Sequence, residues 1–336
     1  MAERFLAVHT DASPSTVYDI ERQIIEDAGG RLDLVPVGVD EGELIERVRA
    51  ADALLVSSAA ITRRVADSMP NCQIVTRYGV GLDTLDIPAL TDNGIVVAHF
   101  PDFCQPEVAN HALMLLLACA KKLVPFDRAV RAGAWRPGPL SPMAHITEQV
   151  CGLVAFGAIA REFARRAQAM DMVVIAWDPY VDDAVFAAAG VERVATLEEL
   201  ATRSDFVSIH APLNDETHHL MSAAEFSAMK PSAFLINTGR GPVVDEAALI
   251  AALDAGEIAG AGLDVFETEP LPAASPLAGM DNVVLMPHTA SFSDRAFDRL
   301  KQRLGTAIVD VVVNGVWPEF VPNRAEVRPR AALASG

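Results

Sequence analysis

Three short segments in the C-terminal half of the chain place side chains of complementary chemistry just after predicted strands. One contains Arg240, one contains Glu267 and Glu269, and one contains His288. A guanidinium can bind a carboxylate and a carbonyl oxygen through paired hydrogen bonds. An imidazole supported by a carboxylate can donate a proton to a carbonyl. The set predicts chemistry on a 2-keto acid that accepts a hydride, and spacing alone does not choose between Glu267 and Glu269.

The segment before these groups has the pattern of a nucleotide-binding unit. A strand predicted over 152–155 leads into A-x-G-x-x-A, a helix and a second strand that ends at Asp178, 23 residues after Ala155. Gly157 lets the backbone approach a pyrophosphate, whereas Ala155 costs about 1–2 kcal/mol if that turn needs positive φ. A carboxylate at Asp178 accepts hydrogen bonds from ribose hydroxyls and repels a 2′-phosphate. The pattern therefore favours NAD over NADP.

The order of predicted elements indicates the fold class. Short apolar strands alternate with helical patterns, which predicts an α/β protein with two doubly wound parallel-sheet domains, the second a Rossmann dinucleotide-binding domain. Residues 1–100 with 289–322 are expected to form a discontinuous substrate-binding domain, 101–288 the NAD-binding domain, and 323–336 a loose tail. One long apolar helix is predicted from Pro106 to about Arg131, as expected between layers or at a subunit interface.

Composition excludes several classes of function. The 336 residues carry 27 basic and 45 acidic side chains, a net charge of −18, which argues against a nucleic-acid surface. The longest apolar run, Ala112–Ala120, is far shorter than the roughly 20 residues that a membrane span needs. The four cysteines show neither C-x-x-C pairing nor zinc-like spacing to histidine, so no metal site is predicted. The start shows no signal pattern, and we expect a cytoplasmic protein.

Six segments in order resemble the D-isomer-specific 2-hydroxyacid dehydrogenase family, over roughly residues 50 to 322. Besides the three segments above, these are the loop at 78–83, the helix entry at 101–113 and the strand end at 208–213. The family includes glyoxylate/hydroxypyruvate reductases, phosphoglycerate dehydrogenases and the C-terminal-binding proteins. The resemblance implies NAD as cofactor, a small 2-keto or 2-hydroxy acid as substrate, a homodimer, and catalysis in the cleft between the two domains.

The resemblance also assigns roles by position. Arg240, Glu269 and His288 match the catalytic residues, with His288 as general acid and base and Glu269 orienting its imidazole. The positions implied to bind the cofactor are Gly157, Ala158, Ile159, Asp178, His210, Ala211, Pro212, Thr217, Thr238, Gly239 and Asp264. The positions implied to bind the substrate are Arg77, Val80, Gly81, Arg240 and Ser291. Asp264 is expected to accept from the nicotinamide amide, and the N–H groups of Val80 and Gly81 to hold the substrate carboxylate.

Two classes of function are compatible with these residues. The first is an NAD(H)-dependent reductase of a small 2-keto acid; the second is an NAD(H)-sensing scaffold or corepressor with little turnover. Ala155, and Ala158 where many relatives have arginine, favour the scaffold, whereas the complete arginine, glutamate and histidine set favours the enzyme. Oxidation of phosphite and a phosphoglycerate-dehydrogenase role stay open, while Glu269 disfavours a formate enzyme, which carries glutamine there. Two further departures from the family pattern are Asn110 and Ser291.

Overall fold

The computed structural model describes residues 4–135, 143 and 145–334. Residues 1–3, 136–142, 144, 335 and 336, which belong to the predicted domain ranges, lie outside the described part. The chain divides into two compact units, Met1–Phe103 with Ser293–Gly336 and Cys104–Phe292. The predicted borders at 100 and 288 lie within four residues of these limits. The assignment of substrate to one unit and NAD to the other stays a prediction.

Strands and helices alternate along most of the chain. The strands are β1 (Phe5–Ala12), β2 (Gly30–Pro36), β3 (Ala53–Val56), β4 (Ile74–Arg77), β5 (Val96–Ala98), β6 (Val150–Val154), β7 (Val173–Trp177), β8 (Glu192–Arg193), β9 (Phe206–Ile209), β10 (Phe234–Asn237), β11 (Gly260–Leu263) and β12 (Val283–Leu285). The α-helices are α1 (Asp19–Asp27), α2 (Glu41–Val48), α3 (Arg63–Asp67), α4 (Ile87–Asp92), α5 (Gln105–Ala120), α6 (Leu123–Arg131), α7 (Ala158–Gln168), α8 (Asp183–Ala189), α9 (Leu197–Arg203), α10 (Ala223–Ala228), α11 (Glu246–Ala255) and α12 (Asp294–Val309).

The first unit is built on a five-stranded parallel sheet in the order β2-β1-β3-β4-β5. Its central strands β3 and β4 are apolar runs that are buried along their whole length, as expected for a sheet covered by helices on both faces. The final helix α12 returns to this unit and packs against α1. Gly305 of α12 permits the contact, because a Cβ there would lie 3.3 Å from the Cα of Glu21.

The second unit is built on a seven-stranded parallel sheet in the order β12-β11-β10-β9-β6-β7-β8. Counted from β6, this is the strand order of a Rossmann sheet with one added strand. Apolar clusters cover both faces, one with Phe226 and Leu249 and the other with Phe163 and Leu115. The predicted α/β fold with two doubly wound parallel sheets is therefore confirmed. Ligands in such sheets bind beyond the carboxyl ends of the strands.

The long helix predicted from Pro106 to Arg131 is wrong. The structure has two helices, α5 and α6, which are bent by 62° at a break where Lys122 adopts a left-handed φ of 53°. No single helix among the described residues is long and apolar enough to span a membrane, and this bent pair meets the criterion only jointly, by length and composition. Much of α5 is buried in the core of its own unit, including Leu115 and Leu116.

The predicted loose tail is also wrong for residues 323–334. The buried side chain of Asn323 accepts from Val97 N at 3.1 Å and donates to Ile95 O at 3.0 Å. Arg330 donates from its backbone to Gly94 O at 3.0 Å and from its guanidinium to Cys72 O at 3.1 Å. These bonds satisfy backbone groups at the end of the first sheet, so this segment is part of the first unit.

Candidate active site

His288 and Glu269 form a hydrogen-bonded pair in the second unit. Glu269 Oε2 lies 2.7 Å from Nδ1 of His288, and Glu269 Oε1 accepts from Phe266 N at 3.0 Å. Burial raises the pKa of Glu269, but the bonds from His288 and Phe266 and the charges of His288 and Arg240 outweigh burial and lower it. The carboxylate is therefore ionised and accepts the proton of Nδ1. The imidazole is half-exposed, and its Nε2 atom is the one available for proton exchange.

The loop that carries His288 is held by Asp264, which follows β11. His288 N donates to Asp264 O at 2.8 Å, and the carboxylate of Asp264 accepts from Thr289 N at 2.9 Å and Ala290 N at 2.8 Å. The side chain of Asp264 is 0% exposed. Its observed role is thus to fix the histidine loop, in which His288 has a φ of 53°. The expected contact of Asp264 with the nicotinamide amide stays a prediction.

Arg240 lies in a turn directly after β10. Asn237 stabilises this turn, because its side chain accepts from Gly239 N at 3.0 Å and donates to Arg240 O at 3.1 Å. The next residue, Gly241, passes so close to the loop after β11 that a Cβ would lie 1.8 Å from Phe266 O. Only glycine permits this approach, which brings Arg240 near enough to Glu269 to lower the pKa of that carboxyl. The three predicted catalytic side chains therefore lie at the carboxyl ends of β10, β11 and β12.

A second cluster of side chains, which sequence spacing did not reveal, lies beside the Glu269 loop. His219, Asp245 and Glu267 place their ligand-type atoms within 4.8 Å of one another. His219 Nε2 lies 2.8 Å from Glu267 Oε1, which also accepts from Glu246 N at 3.0 Å. Asp245 instead caps α11 by accepting from its N3 amide. These bonds join the loop after β11 to the segment after β9, so Glu267 has a positioning role here and Glu269 is the partner of His288.

The turn between β6 and α7 has the shape that a dinucleotide requires. A Cβ at Gly157 would have no atom within 4 Å, so the space above the turn is open. The helix α7 begins at this glycine without a side-chain cap, so its first N–H groups are not capped by a side chain. Open N–H groups and the helix dipole favour a pyrophosphate at this position. The turn therefore fits NAD, and the residues that would line its pyrophosphate are Gly157, Ala158 and Ile159.

Ala155 adopts a left-handed φ of 71°, so the condition under which alanine is strained in this turn is met. Replacing Ala155 with glycine removes a strain of about 1–2 kcal/mol from the folded state. Glycine also gives the unfolded chain more conformational entropy, which lowers stability by about 0.4–1 kcal/mol. We expect Ala155→Gly to raise the free energy of unfolding by roughly 0.5–1 kcal/mol, measured by urea denaturation. Ala169 has a φ of −66° and is a matched control, where glycine should only destabilise. A loss of stability in Ala155→Gly would show that the backbone of Ala155 is not strained.

Asp178 lies beside this turn at the end of β7. Its carboxylate accepts from Phe156 N at 2.8 Å and from Tyr180 N at 2.8 Å, and the residue is buried. These bonds join the turn after β6 to the turn after β7. Contact of the same carboxylate with a ribose stays a prediction, and its position next to the Gly157 turn supports it.

The remaining residues expected at the cofactor lie on two neighbouring turns. Gly239 and Ala211 are close, because a Cβ at Gly239 would lie 3.1 Å from Ala211 O. Burial lowers the pKa of His210 to about 4, and its Nε2 lies 3.0 Å from Ser208 Oγ, so the imidazole is neutral. Thr217 closes the turn by donating to Pro212 O at 2.6 Å.

Thr238 supplies a buried polar atom that the described protein leaves unused. The hydroxyl of Thr238 has no hydrogen-bond partner among the described residues, although the residue is buried. A buried hydroxyl without a partner is costly, and a bound ligand relieves that cost. This observation supports the prediction that the turn after β10 contacts the cofactor.

The predicted substrate loop lies in the first unit, after β4. The guanidinium of Arg77 donates to the carbonyl oxygen of Tyr78, and Gly79 has a φ of 135° that favours glycine. His99 Nδ1 lies 3.2 Å from Val80 O. Arg77 therefore braces the loop, and direct contacts of Arg77, Val80 and Gly81 with a substrate stay predictions. The same holds for Ser291, which is only partly exposed and lies three residues after His288.

Comparison with known proteins gives a consistent result. Residues 113–290, more than half of the chain, match the family model described as D-isomer specific 2-hydroxyacid dehydrogenase, NAD binding domain. A glyoxylate reductase of Korarchaeum cryptofilum is 38% identical over 291 residues, which cover 85% of this chain and 87% of the relative. A D-3-phosphoglycerate dehydrogenase of Methanocaldococcus jannaschii is 33% identical, but the match covers 86% of this chain and only 54% of that protein.

Solved structures resemble the whole chain. A glyoxylate/hydroxypyruvate reductase of Sinorhizobium meliloti, determined with NADP and malonate, has a TM-score of 0.84 at 28% identity and covers 98% of this chain and 99% of its own. A D-lactate dehydrogenase of Aquifex aeolicus, determined with NAD and lactic acid, has a TM-score of 0.82 at 25% identity and covers 92% and 96%. The predicted family resemblance is confirmed.

Proposed function

The chain belongs to the D-isomer specific 2-hydroxyacid dehydrogenase family, and from that premise we propose that it reduces glyoxylate or hydroxypyruvate with NADH. Family membership makes it an NAD-dependent oxidoreductase that interconverts 2-keto and 2-hydroxy acids. The non-enzymatic scaffold is not favoured, because a scaffold has no use for a proton donor such as His288.

The observation that carries the proposal is the pairing of His288 with an ionised Glu269 next to Arg240. Arg240 binds the carboxylate and carbonyl oxygen of the keto acid, because its planar donors match two oxygens. His288 donates the proton of Nε2 to the carbonyl oxygen, and Glu269 stabilises the protonated imidazole through Nδ1. The nicotinamide, when bound, supplies the hydride. In the oxidative direction, the neutral imidazole accepts the proton from the hydroxyl group.

The choice of acid is supported by the names of relatives. Relatives that the chain matches over most of their length are named glyoxylate reductase. We propose that the small side chain of Ser291, three residues after His288, leaves room for the substrate. We also propose that the N–H groups of Val80 and Gly81 bind the substrate carboxylate. We also propose that Asp178 disfavours the 2′-phosphate of NADPH through like-charge repulsion.

The test is a panel of 2-keto acids with NADH and NADPH, followed by the absorbance of the reduced nicotinamide. We expect glyoxylate or hydroxypyruvate with NADH to give the highest kcat/KM, at least about tenfold above NADPH. D-3-phosphoglycerate with NAD belongs in the panel, because relatives named D-3-phosphoglycerate dehydrogenase match this chain over about half of their own length. No turnover with any acid, together with tight NADH binding, would contradict the proposal and support the scaffold.

We further propose that the protein is a homodimer assembled through α6. No residue of α6 is buried in the described structure, although Leu123, Phe126 and Val130 form an apolar stripe at helical spacing. Leu123 and Val130 are 59% and 50% exposed. The apolar run Ala112–Ala120, which the sequence suggested for this role, is largely buried within its own unit. The α6 stripe therefore supports an isologous contact between two copies.

The test of this interface is Val130→Asp, which places a charge at the C-terminal end of this stripe. We expect the wild type to elute as a dimer and Val130→Asp as a monomer, measured by light scattering after size-exclusion chromatography. Val17, 62% exposed in the first unit, provides the matched control, and Val17→Asp should stay dimeric. A monomeric wild type, or a dimeric Val130→Asp, would contradict this interface.

A cytoplasmic location is part of the same proposal. The four cysteines are buried and form no disulfide with one another, which is consistent with a reducing compartment. A free pool of NADH is found in such a compartment as well. Fractionation of the source cells, with the protein detected by antibody, tests the location.

A further inference from the structure

A glutamate on α1 is buried in a manner that the proposed function does not explain. Glu21 is 0% exposed, and its Oε1 accepts a hydrogen bond from the hydroxyl of Tyr78. Its Oε2 is buried and has no hydrogen-bond partner among the described residues. The helix α12 closes over it at Gly305. Glutamate is almost never fully buried without pairing, so a carboxyl group with one oxygen left without a partner among the described residues needs a reason.

The partner of Glu21 is the first residue of the substrate loop. Tyr78 N donates to Val56 O at 2.7 Å, and the Tyr78 ring lies 5.1 Å from the ring of His9. Tyr78 is thus held at its backbone by Val56 and at its hydroxyl by Glu21. The loop that follows, Tyr78–Gly81, supplies the N–H groups proposed to bind the substrate carboxylate. Its entry geometry therefore depends on the bond to Glu21.

The groups that act electrostatically around Glu21 lie on several neighbouring elements. Burial raises the pKa of Glu21. The bonds from the Tyr78 hydroxyl and from the backbone of Glu21, with the charges of Lys301 on α12 and Arg22 on α1, offset this only in part. Burial, with the charge of Glu21, raises the pKa of Tyr78, so its hydroxyl stays a donor. Tyr18, directly before α1, has its pKa raised chiefly by burial and is also neutral.

The groups on β1 do not supply a counter-charge. Burial lowers the pKa of His9 to about 4, so its imidazole is neutral at working pH. Burial raises the pKa of Asp11, but bonds from the backbone of Ser57 and Ser58 outweigh it and keep the carboxylate ionised. Asp11 is therefore a negative charge that helps to raise the pKa of Tyr78, and it is no counter-charge for Glu21. Because Tyr78 donates to Oε1, a proton that binds to Glu21 is placed on Oε2.

We propose that Glu21 is a positioning residue for substrate binding, whose buried carboxyl group anchors Tyr78 and thereby holds the Tyr78–Gly81 loop in its binding conformation. This inference rests on the proposed function of that loop. Ionisation of Glu21 places a buried negative charge behind a loop that is proposed to bind an anion. The affinity for the keto acid therefore falls as the pH rises through the raised pKa of Glu21, while the chemistry at His288 continues.

The test compares KM and kcat from pH 5 to pH 9 in four variants. Glu21→Gln keeps an acceptor for Tyr78 but cannot ionise, so its KM should equal that of the wild type at low pH and stay flat where the wild-type KM rises. Glu21→Ala and Tyr78→Phe remove the bond and should raise KM about tenfold at low pH, with kcat within about twofold. Glu26→Gln, on the exposed side of α1, is the matched control and should match the wild type.

A measurement without substrate separates this inference from the proposed function. An acid whose pKa is raised by folding stabilises the protein below its unfolded pKa, and this stabilisation is lost as the pH rises through the folded pKa. The Tm of the wild type should therefore fall relative to that of Glu21→Gln over this range. Parallel Tm curves, or a Glu21→Gln variant whose KM keeps the wild-type pH dependence, would overturn the inference. If no keto acid is turned over, the proposed function fails, and the Tm comparison still decides on Glu21.

Discussion

Replacing His288 with asparagine lowers kcat for keto-acid reduction by about 10³-fold, because the proton donor to the carbonyl oxygen is lost. Asparagine suits the position, since His288 has a φ of 53° and asparagine tolerates the left-handed region better than alanine does. The turn and its bonds to Asp264 are then preserved. NADH should bind with unchanged affinity, which the fluorescence of the bound dinucleotide measures.

The control for this variant is His218→Asn, an exposed histidine of the same unit. Its kcat should stay within about twofold of the wild type. His288→Asn with more than a tenth of the wild-type kcat would remove the histidine from the chemistry. A loss of NADH binding in His288→Asn would show that the histidine acts on the cofactor instead.

The second large effect concerns Arg240. Arg240→Ala should lower kcat/KM by about 10³-fold, because one group binds both the carboxylate and the oxygen on which charge develops. Arg240→Lys retains the positive charge but loses the planar pair of donors. It should therefore recover only part of the lost activity, with kcat/KM about 10²-fold below the wild type. Steady-state kinetics with hydroxypyruvate measure both variants, and most of the loss in Arg240→Lys should be in KM.

Arg165→Ala is the matched control, since Arg165 is an exposed arginine on α7 that pairs only with Glu162 among the described residues. It should show wild-type kinetics. A fully active Arg240→Lys would mean that charge alone suffices and that no bidentate contact exists. An Arg240→Ala variant that binds NADH poorly would assign the arginine to the cofactor.

Strands were the most predictable elements of this fold. The apolar runs at 173–177 and 206–209 predict two strands, and these limits agree with β7 and β9 because each run is short and has clear borders. The two-residue strand β8 was missed. Its residues Glu192 and Arg193 are exposed and polar, so only their pairing with β7 makes them a strand.

The break between α5 and α6 could have been predicted. Pro125 lies inside the supposed long helix, where it would cost a hydrogen bond, whereas it is tolerated in the first turn of a new helix. The start of α6 at Leu123 places Pro125 in that first turn. The packing of the tail had no such signal, because the bonds of Asn323 and Arg330 depend on partners more than 200 residues away.

Residue types predicted the chemistry of the site, but they did not predict which groups position the catalytic side chains. The sequence indicated Arg240 and His288, and the family pattern chose Glu269, which the structure places next to His288. The sequence did not indicate that Asp264 holds the histidine loop, because a carboxylate's partners depend on tertiary contacts. Glu21 belongs to no motif, and only its complete burial and its bond to Tyr78 make it noticeable.

The most direct test of the central claim is the chirality of the product. Wild-type protein is incubated with NADH and hydroxypyruvate, and the glycerate formed is resolved on a chiral column. The account predicts one equivalent of D-glycerate for each NADH oxidised. No NADH consumption with hydroxypyruvate, glyoxylate or any other 2-keto acid, or a product of L configuration, would contradict it.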